Sequence, residues 1–480
     1  MAASSKVFLV VGFLLVVTFL AIFSGAFCSR GSFVALASDA NIVVNPGQSI
    51  SAALSSASQG DTILLMTGTY SQSQISVNKT VTITGEDPER TIIDGGGTAS
   101  DIFMITADNV VIENLTVENT DSSFAISAPA VYLFNATGVH VENLMIKKAF
   151  FGLQFTDSNS SMITYCTISE TFDYGVFLRD RSCNNTFFGN TIENNSDGMV
   201  FSDATCQFNR VYNNNFIGNL KQLQFFGTNY FDDGYPSGGN YWSDAVGTDL
   251  KSGPDQNEVG GDGILDQGYP ESSAWDRYPL DWPITNLQVT VGAENFVLQV
   301  STNSTLTGCY LNGTAKTVGL LLNASENLVG SCRITIPKGF LSTDNISEWK
   351  VAEVYLNGTS LNLPYWAAED SENTYAYFTY TQSEVKEIDV TGTLLVDEFF
   401  DFMILAFMFV SVGVLVLWKS LRKRKSSANV FKPLFKELCC RLTSGPFDDG
   451  VSNRAGLRCS QRTARTLFEI ESSSLRTSYA

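Results

Sequence analysis

One short phrase recurs five times in the middle of the chain and decides the fold. Its instances are IENLTV (112–117), VENLMI (141–146), ITYCTI (163–168), FFGNTI (187–192) and YNNNFI (212–217). They follow one another at intervals of 22 to 29 residues. β-Branched or aromatic residues alternate within each instance, which predicts a short strand. One such unit cannot bury its apolar face alone, so the period indicates coils stacked into a parallel β-helix.

A second phrase runs in step with the first. Its instances are AVYLFN (130–135), GLQFTD (152–157), GVFLRD (175–180) and GMVFSD (198–203), offset by 22 or 23 residues. Each coil is therefore predicted to contain at least two strands, with equivalent residues about 4.8 Å apart on neighbouring coils. Asp157, Asp180 and Asp203 would then form a ladder of carboxylates.

The charge of the chain is unevenly distributed. The net charge is −19, yet residues 419–480 contain 13 Lys and Arg against 5 Asp and Glu. That balance of +8 leaves −27 for the preceding 418 residues. A region this acidic repels polyanions, so nucleic acid is not expected as a partner.

Both ends of the chain carry membrane signals. Residues 1–37 contain an apolar run after Lys6 and predict a signal peptide or an N-terminal anchor. Residues 399–418 are apolar and are followed by five basic residues in 419–425, as in a transmembrane helix with a cytoplasmic flank. The tail, 419–480, is basic and is expected to be disordered. The sequence thus predicts a single-pass protein of the cell membrane with an extracellular N-terminal part.

Glycosylation sequons agree with this topology, because all of them precede the predicted span. They lie at Asn78, Asn114, Asn135, Asn159, Asn184, Asn194, Asn303, Asn312, Asn323, Asn345 and Asn357. Asn, Ser and Thr are common in this chain, so some of these matches are expected by chance alone.

The β-helix is predicted over residues 41–225, beginning with a short capping helix. Ser49 can cap this helix, and Ile50, Ala53, Leu54 and Ala57 fall on one of its faces. Such a helix would cover the apolar end of the coil stack.

Residues 226–285 lose the period and become rich in Gly, Asp and aromatic residues. GGNYWSD (238–244), GDGILDQGYP (261–270) and DRYPL (276–280) resemble the block that closes β-helices of the NosD-like family. That family includes carbohydrate-binding and sugar-hydrolysing repeat proteins with a pectin-lyase-like fold. The resemblance covers about residues 41–285 and implies a right-handed parallel β-helix.

A β-sandwich is predicted over residues 286–392, where alternating strands are separated by Asn-Gly, Gly and Pro turns. Its pieces CRITIPK (332–338) and YFTYTQS (377–383) resemble a membrane-proximal module of archaeal surface proteins. Cys309 and Cys332 are expected to form a disulfide, because this domain is predicted to lie outside the membrane. The fold class is therefore all-β, with one C-terminal transmembrane helix.

Calcium is the metal that the closing block favours. Its oxygen ligands would come from a Gly-rich loop that contains Asp249, Asp255, Asn257, Asp262 and Asp266. The alternative is that these residues only make tight turns. Copper is not expected, because copper sites favour His, Met or Cys clusters and the chain has one histidine, His140, and 8 Met.

The ladder of Asp157, Asp180 and Asp203 has three interpretations. The carboxylates can cap turns, with repulsion relieved by Arg179 and Arg181; they can bind a cation; or they can divide acid and base roles in a glycosidase. Turn capping is the ordinary case for such residues, and catalysis is the weakest of the three interpretations.

Aromatic residues of the closing block offer a route to carbohydrate binding. Tyr241, Trp242 and Trp275 could stack on sugar faces, or they could seal the end of the β-helix core.

The function that these features favour is a non-enzymatic, membrane-anchored cell-surface protein that binds glycans or neighbouring surface-layer proteins. The alternative is a polysaccharide lyase or glycoside hydrolase on the same scaffold, which would need a cleft with convergent acids and a base.

Overall fold

A computed structural model describes residues 41–391 apart from a few short segments. Those segments are 98–99, 126, 274, 292–293, 313–316, 324–328, 339–353, 357–358, 362–364 and 382–385. The predicted signal peptide or anchor, the membrane helix over 399–418 and the tail over 419–480 lie outside the described residues, as do Asn345 and Asn357. No helix in the described part is long and apolar enough to cross a membrane.

The repeating region folds into short strands, numbered here in chain order. They are β1 (Asn41–Val44), β2 (Thr62–Leu65), β3 (Gly68–Ser71), β4 (Ile75–Val77), β5 (Thr82–Gly85), β6 (Thr91–Asp94), β7 (Phe103–Ile105), β8 (Val111–Glu113), β9 (Thr116–Glu118), β10 (Pro129–Phe134), β11 (His140–Glu142), β12 (Met145–Lys147), β13 (Phe151–Thr156), β14 (Met162–Thr164), β15 (Thr167–Ser169), β16 (Tyr174–Arg179), β17 (Thr186–Phe188), β18 (Thr191–Glu193), β19 (Asp197–Phe201), β20 (Arg210–Tyr212), β21 (Asn215–Ile217), β22 (Lys221–Gln224) and β23 (Tyr241–Trp242).

These strands form three parallel sheets that run the length of the coil stack. The first sheet has the order β1-β2-β5-β8-β11-β14-β17-β20, and the second has the order β3-β6-β9-β12-β15-β18-β21-β23. The third sheet has the order β4-β7-β10-β13-β16-β19-β22. Consecutive strands such as β8, β9 and β10 go to different sheets, so each full coil contributes one strand to each sheet. The predicted parallel β-helix is confirmed, with three strands in a full coil.

The prediction of one strand per IENLTV-type phrase is wrong, because each phrase crosses a corner between two sheets. In the first instance, Ile112 lies in β8 and Val117 lies in β9, and Asn114 between the two strands has a φ of 58°. The other instances turn at residues that also have positive φ, namely Asn143, Tyr165, Gly189 and Asn213. A single left-handed residue redirects the strand without a loop, and asparagine tolerates this conformation better than most residues.

The core is a continuous column of fully buried side chains inside the coils. Equivalent residues stack in register, as Ile112, Val141, Ile163, Phe187 and Val211 do in the first sheet. Every inward side chain thus packs against a similar one above and below it, which is how short strands with little burial of their own become stable.

Buried asparagines hold the corners of the later coils together. In one ladder, Asn190 Oδ1 accepts the backbone N–H of Cys166 at 2.9 Å, and Asn214 Oδ1 accepts that of Asn190 at 2.9 Å. Asn190 Nδ2 donates to the carbonyl oxygen of Ile163 at 2.8 Å. Two further ladders contain Asn185, Asn209 and Asn229, and Asn195 and Asn219. Backbone groups that the corners leave unpaired are thereby satisfied.

Helix α1 (Ile50–Ser56) covers the first end of the column, as the sequence indicates. Ser49 Oγ accepts the backbone N–H of Ala52 at 3.1 Å, and Ile50 and Leu54 are buried. Lys79 Nζ donates to carbonyl oxygens at the C-terminal end of the helix, which it reaches from the following coil. The cation thus supplies donors where the last carbonyl groups lack them.

The closing block covers the other end with stacked rings. Trp242 lies between Phe216 and Tyr269, with ring centroids 4.3 and 4.7 Å away and nearly parallel planes. Asp276 lies fully buried below it and accepts hydrogen bonds from Trp242 Nε1 and the backbone N–H of Asn240, both at 2.8 Å. A small hairpin of β24 (Lys251–Ser252) and β25 (Glu258–Val259) follows within the block.

The remaining strands form two antiparallel sheets that share one hydrophobic core, and a separate two-stranded sheet. Their strands are β26 (Ile284–Val291), β27 (Glu294–Thr302), β28 (Thr305–Asn312), β29 (Thr317–Asn323), β30 (Val329–Pro337), β31 (Val354–Leu356), β32 (Thr359–Leu361), β33 (Tyr365–Glu369), β34 (Asn373–Thr381) and β35 (Lys386–Thr391). Of the two sheets that share the core, one has the order β26-β27-β30-β34-β33 and the other the order β28-β29-β35, while β31 pairs with β32 in the two-stranded sheet. Buried residues of both sheets, including Val300 and Leu320, belong to the same cluster. This is the antiparallel arrangement that the sequence predicts.

A buried arginine joins the closing block to these sheets. Arg333 of β30 is 3% exposed and donates to the carbonyl oxygens of Asp262 and Pro236. Its guanidinium lies over the rings of Trp366 and Tyr375, about 5 Å from their centroids. Burial lowers the pKa of Arg333 and raises that of Asp262 to about 6. The contact therefore consists of charged and aromatic groups withdrawn from water.

Candidate functional site

A row of residues paired in register marks the start of the later strands of the third sheet. In β16 and β19, Tyr174 is paired in register with Asp197, and Asp197 is paired with Lys221 of β22. Val176 of β16 and Met199 of β19 are fully buried and belong to the core, whereas Tyr174 is only half-buried and lies outside that cluster at the start of β16. This edge is where the aromatic residues of the coils concentrate.

Six aromatic side chains form a continuous patch here, which we call the aromatic strip. It consists of Phe124, Phe150, Phe151, Phe172, Tyr174 and Phe177. Phe151 stacks on Tyr174 at a centroid distance of 5.2 Å and an interplanar angle of 18°. Phe124 is 72% exposed and Phe172 51% exposed, whereas Phe150 is buried beneath them. None of the six belongs to the core of the β-helix, so the strip is an apolar surface outside it.

Two carboxylates border the aromatic strip. Asp197 is buried, accepts a hydrogen bond from Gln224 Nε2, and lies 3.7 Å from Lys221 Nζ. The side chain of Asp173 is half-buried and has no hydrogen-bond or salt-bridge partner in the described part of the chain. Burial and, secondly, the charge of Asp197 raise the pKa of Asp173. Burial followed by these two acids raises the pKa of Tyr174, so ring and carboxylates share one environment.

Sequence reasoning missed this site, although the signal was present. Phe150 and Phe172 are 22 residues apart, and Phe151 and Tyr174 are 23 apart. These are the same offsets that align the GLQFTD-type phrases. Extending the alignment by a few residues toward the N-terminus would have stacked the rings on adjacent coils.

The predicted ladder of Asp157, Asp180 and Asp203 exists, but its members are engaged in local contacts. Arg181 Nη2 lies 2.9 Å from Asp157, and Arg179 Nε lies 2.7 Å from Asp180. Asp203 accepts hydrogen bonds from Thr205, which is the first cause of its lowered pKa. Asp157 and Asp180 have φ near 50°, a conformation that aspartate adopts readily. The arrangement is that of turn residues, and catalysis by this ladder stays an untested prediction.

The carboxylates of the predicted calcium loop accept backbone hydrogen bonds. Asp249 accepts the N–H groups of Asp262 and Gly263, each at 2.9 Å, and Asp266 accepts those of Leu250 and Lys251. Asp262 is fully buried and accepts the N–H of Ile264 and a hydrogen bond from Gln256. The two remaining candidates, Asp255 and Asn257, are exposed.

No group of three His, Cys, Asp or Glu side chains in the described residues is placed to hold a metal ion. A calcium ion at this loop would therefore need backbone carbonyl groups or water among its ligands. Calcium binding stays a prediction.

The aromatic residues of the closing block are mostly internal. Trp242 is 1% exposed and stacked on both faces, so neither face of its ring is open to a sugar in the structure. Trp275 is half-buried and packs edge-on against Phe231 and Trp242. Tyr241 packs against the small cluster of Ile264, Leu280 and Ile284. These rings seal the end of the β-helix, which was the alternative interpretation.

Cys309 and Cys332, which are predicted to form a disulfide, are both free in the structure. Cys309 lies in β28 and Cys332 in β30, which belong to different sheets. Cys332 is fully buried, and burial raises the pKa of its thiol. It serves as an apolar core residue.

The sequons divide by environment. Asn78, Asn135, Asn184 and Asn194 are exposed, whereas Asn114, Asn159 and Asn303 are half-buried with hydrogen-bonded side chains. Asn114, Asn135, Asn184 and Asn194 also have positive φ. Corner geometry alone therefore accounts for asparagine at these four positions. The side chains of Asn312 and Asn323 lie outside the described ones, and glycosylation stays a prediction.

Comparison with known proteins places the repeat region in a recognised class. Residues 35–247, less than half of the chain, match the family model described as "Periplasmic copper-binding protein (NosD)". The β-helical part of the chain is thus similar to the NosD family. No curated protein matches the chain.

Solved structures with a similar fold are only distantly related. Pectin methylesterase from Yersinia enterocolitica is 18% identical with a TM-score of 0.28; the match covers 36% of this chain and 66% of that enzyme, just under two thirds of its length. Pectin methylesterase PemA from Erwinia chrysanthemi is 14% identical, with coverages of 54% and 86% and a TM-score of 0.30. Alginate lyase from Paenibacillus sp. str. FPU-7 is 16% identical, with coverages of 40% and 77% and a TM-score of 0.29. These similarities concern the fold and carry no argument about activity.

The described residues do not fit the copper ion that the family description names. The single histidine, His140, lies 3.1 Å from Thr164 Oγ1 and 3.4 Å from the Glu142 carboxylate. Copper in proteins is held by clusters of His, Cys or Met. His140 has none of these partners at its ring.

Proposed function

We propose that this chain is a non-enzymatic, membrane-anchored cell-surface protein whose β-helix binds glycans through the aromatic strip. The observation that carries the proposal is the exposure of rings that contact one another beside polar side chains. Pyranose rings present apolar C–H faces that pack on aromatic rings, and hydroxyl groups that pair with carboxylates and amides. The strip and the carboxylates that border it offer both kinds of contact.

The anchoring part of the proposal comes from the sequence. The apolar run over 399–418, its basic flank and the sequons of the preceding region support a cell-surface location. Neighbouring surface proteins are the other class of partner that this location allows.

The proposal is tested by binding of the purified full-length protein to a panel of immobilised polysaccharides. The double variant Phe172→Ala, Tyr174→Ala should weaken binding about tenfold or more, because each ring contributes roughly 1 kcal/mol from apolar area removed from water. Phe226→Ala is the matched control, since Phe226 is 58% exposed and lies outside the strip. Binding that survives the double variant unchanged would place the glycan site elsewhere.

A carbohydrate-active enzyme is the second candidate, and the pair of Asp173 and Asp197 favours it. One carboxyl group with a raised pKa beside a second acid is the arrangement that acid and base catalysis on glycosides uses. Prolonged incubation with the same polysaccharides separates the two functions. New reducing ends or unsaturated uronates that disappear in Asp197→Asn would establish an enzyme, and intact polymer would support a binding protein.

A further inference from the structure

The charge beside the aromatic strip determines which glycans it can accept. This inference rests on the proposed function, since it concerns the ligand class of the same surface. Asp197 already has Lys221 and Gln224 as partners. The side chain of Asp173 has neither a hydrogen bond nor a salt bridge in the described part of the chain, so its carboxylate is available to a ligand.

The balance of charge at this point is negative. Asp173 and Asp197 contribute two carboxylates, and Lys221 is the single cation that acts on Asp173 within the described residues. The side chain of Lys221 is 63% exposed and already interacts with Asp197. A sugar acid placed here would meet a like charge at close range, which is unfavourable.

The aromatic rings favour a positively charged ligand, as the carboxylate of Asp173 does. The face of an aromatic ring carries negative potential and attracts a cation within about 6 Å of its centroid. Tyr174 adjoins Asp173 in the chain, and Phe172 on its other side is 51% exposed. The charge of Asp173 raises the pKa of Tyr174, so carboxylate and ring lie near each other, and an ammonium group at Asp173 would gain a charge-assisted hydrogen bond close to this ring.

From this juxtaposition we infer that the aromatic strip binds glycans that contain amino sugars with free, protonated amino groups. The sugar ring would pack on Tyr174 and Phe172, and its ammonium group would donate to the carboxylate of Asp173. Neutral sugars would keep the ring contacts alone, and polymers of uronic acids would be rejected.

The test compares β-1,4-linked glucosamine oligomers with the fully N-acetylated oligomers of the same length, which lack the positive charge. We expect the full-length protein to bind the glucosamine oligomer about tenfold more tightly at low salt. The difference should shrink as salt rises to about 1 M, where charges are screened within about 3 Å. Asp173→Asn should remove the difference and leave the weaker, charge-independent binding in place.

Controls keep this inference separate from the proposed function. Asp157→Asn removes a carboxylate that is paired with Arg181 outside the strip and should leave the preference intact. Asp173→Ser provides a second variant if Asp173→Asn folds poorly, as judged by its melting curve. Binding of neither oligomer nor any other polysaccharide would refute the proposed function itself. Equal binding of the two oligomers, or a preference unchanged in both Asp173 variants, would refute only the inference about amino sugars.

Discussion

Single asparagine side chains form the hydrogen bonds that backbone groups lack at the sharp corners. At Asn190, one amide satisfies the backbone N–H of Cys166 and the carbonyl group of Ile163, both of which lie in the preceding coil. A buried backbone group left without a partner costs about 1–3 kcal/mol. The ladder therefore stabilises the fold mainly because it keeps buried backbone groups from being unpaired, and less through the net energy of its own hydrogen bonds. The amide of Asn190 is itself fully buried.

Asn190→Ala should lower the free energy of unfolding by about 2–4 kcal/mol, because it leaves an N–H donor and a carbonyl acceptor unpaired in the core. Urea denaturation followed by circular dichroism measures this change. Asn78→Ala is the control, since Asn78 is exposed and has no hydrogen bond in the described structure. Equal losses in the two variants would mean that the ladder is dispensable.

Asp276 should make stability depend on pH. Burial raises the pKa of this carboxyl group to about 7, against 3.8 as its ordinary value. The folded state therefore holds the proton more tightly than the unfolded state, and stability is lost as pH rises from about 4 through 7. Urea denaturation at four pH values across this window should show a declining free energy of unfolding.

The variant Asp276→Asn isolates this effect. It removes the titrating group but keeps an oxygen that can accept from Trp242 and Asn240, so the decline with pH should become flatter. Its overall stability should fall by about 1 kcal/mol, because the backbone N–H of Tyr278 loses a carboxylate acceptor. Parallel pH curves for the two proteins would show that Asp276 is ionised throughout.

At the scale of the element, the loop of the closing block is the place to test for calcium. If Asp249, Asp262 and Asp266 contribute to a calcium site, chelation should lower the melting temperature, because a ligand of the folded state stabilises it. The double variant Asp262→Asn, Asp266→Asn should abolish that dependence, whereas Asp157→Asn should retain it. A melting temperature that does not change with chelator would contradict calcium binding. The carboxylates would then serve only as acceptors for backbone N–H groups.

The elements themselves show how far sequence reasoning reaches. Alternation and period predicted the coil stack, the face of α1 and the later antiparallel strands, because burial repeats with each coil. The corners were missed, since a strand that turns at one left-handed residue keeps the same apolar alternation as a straight strand. Asn114 therefore looked like a strand residue. The asparagine ladders and the aromatic strip were missed because they join residues 20 or more positions apart on different coils.

The exposure of a candidate site residue is harder to predict from the sequence than the strand or helix that contains it. Trp242 and Phe172 look alike in sequence, yet one is 1% exposed and the other 51%. Whether a ring seals an end or faces solvent depends on what the closing block places over it, and composition does not report that.

At the scale of the whole molecule, the predicted topology is open to a direct test. Protease added to intact cells should cut within residues 41–391 and spare the tail over 419–480, because only the former is predicted to face outward. Antibodies against each region, applied to the digest, identify the fragments. Permeabilised cells serve as the control in which the tail is also cut. A tail cut in intact cells would invert the orientation.

The register of the asparagine ladders also makes the length of the molecule adjustable. Asn190 and Asn214 occupy the same position in successive coils, so residues 190–213 are one complete unit of 24 residues. Duplicating this unit would leave both ends of the solenoid unchanged and would move the aromatic strip about 4.8 Å further from the closing block. The number of coils thus sets the reach of the binding surface in steps of one strand spacing, independently of what that surface recognises.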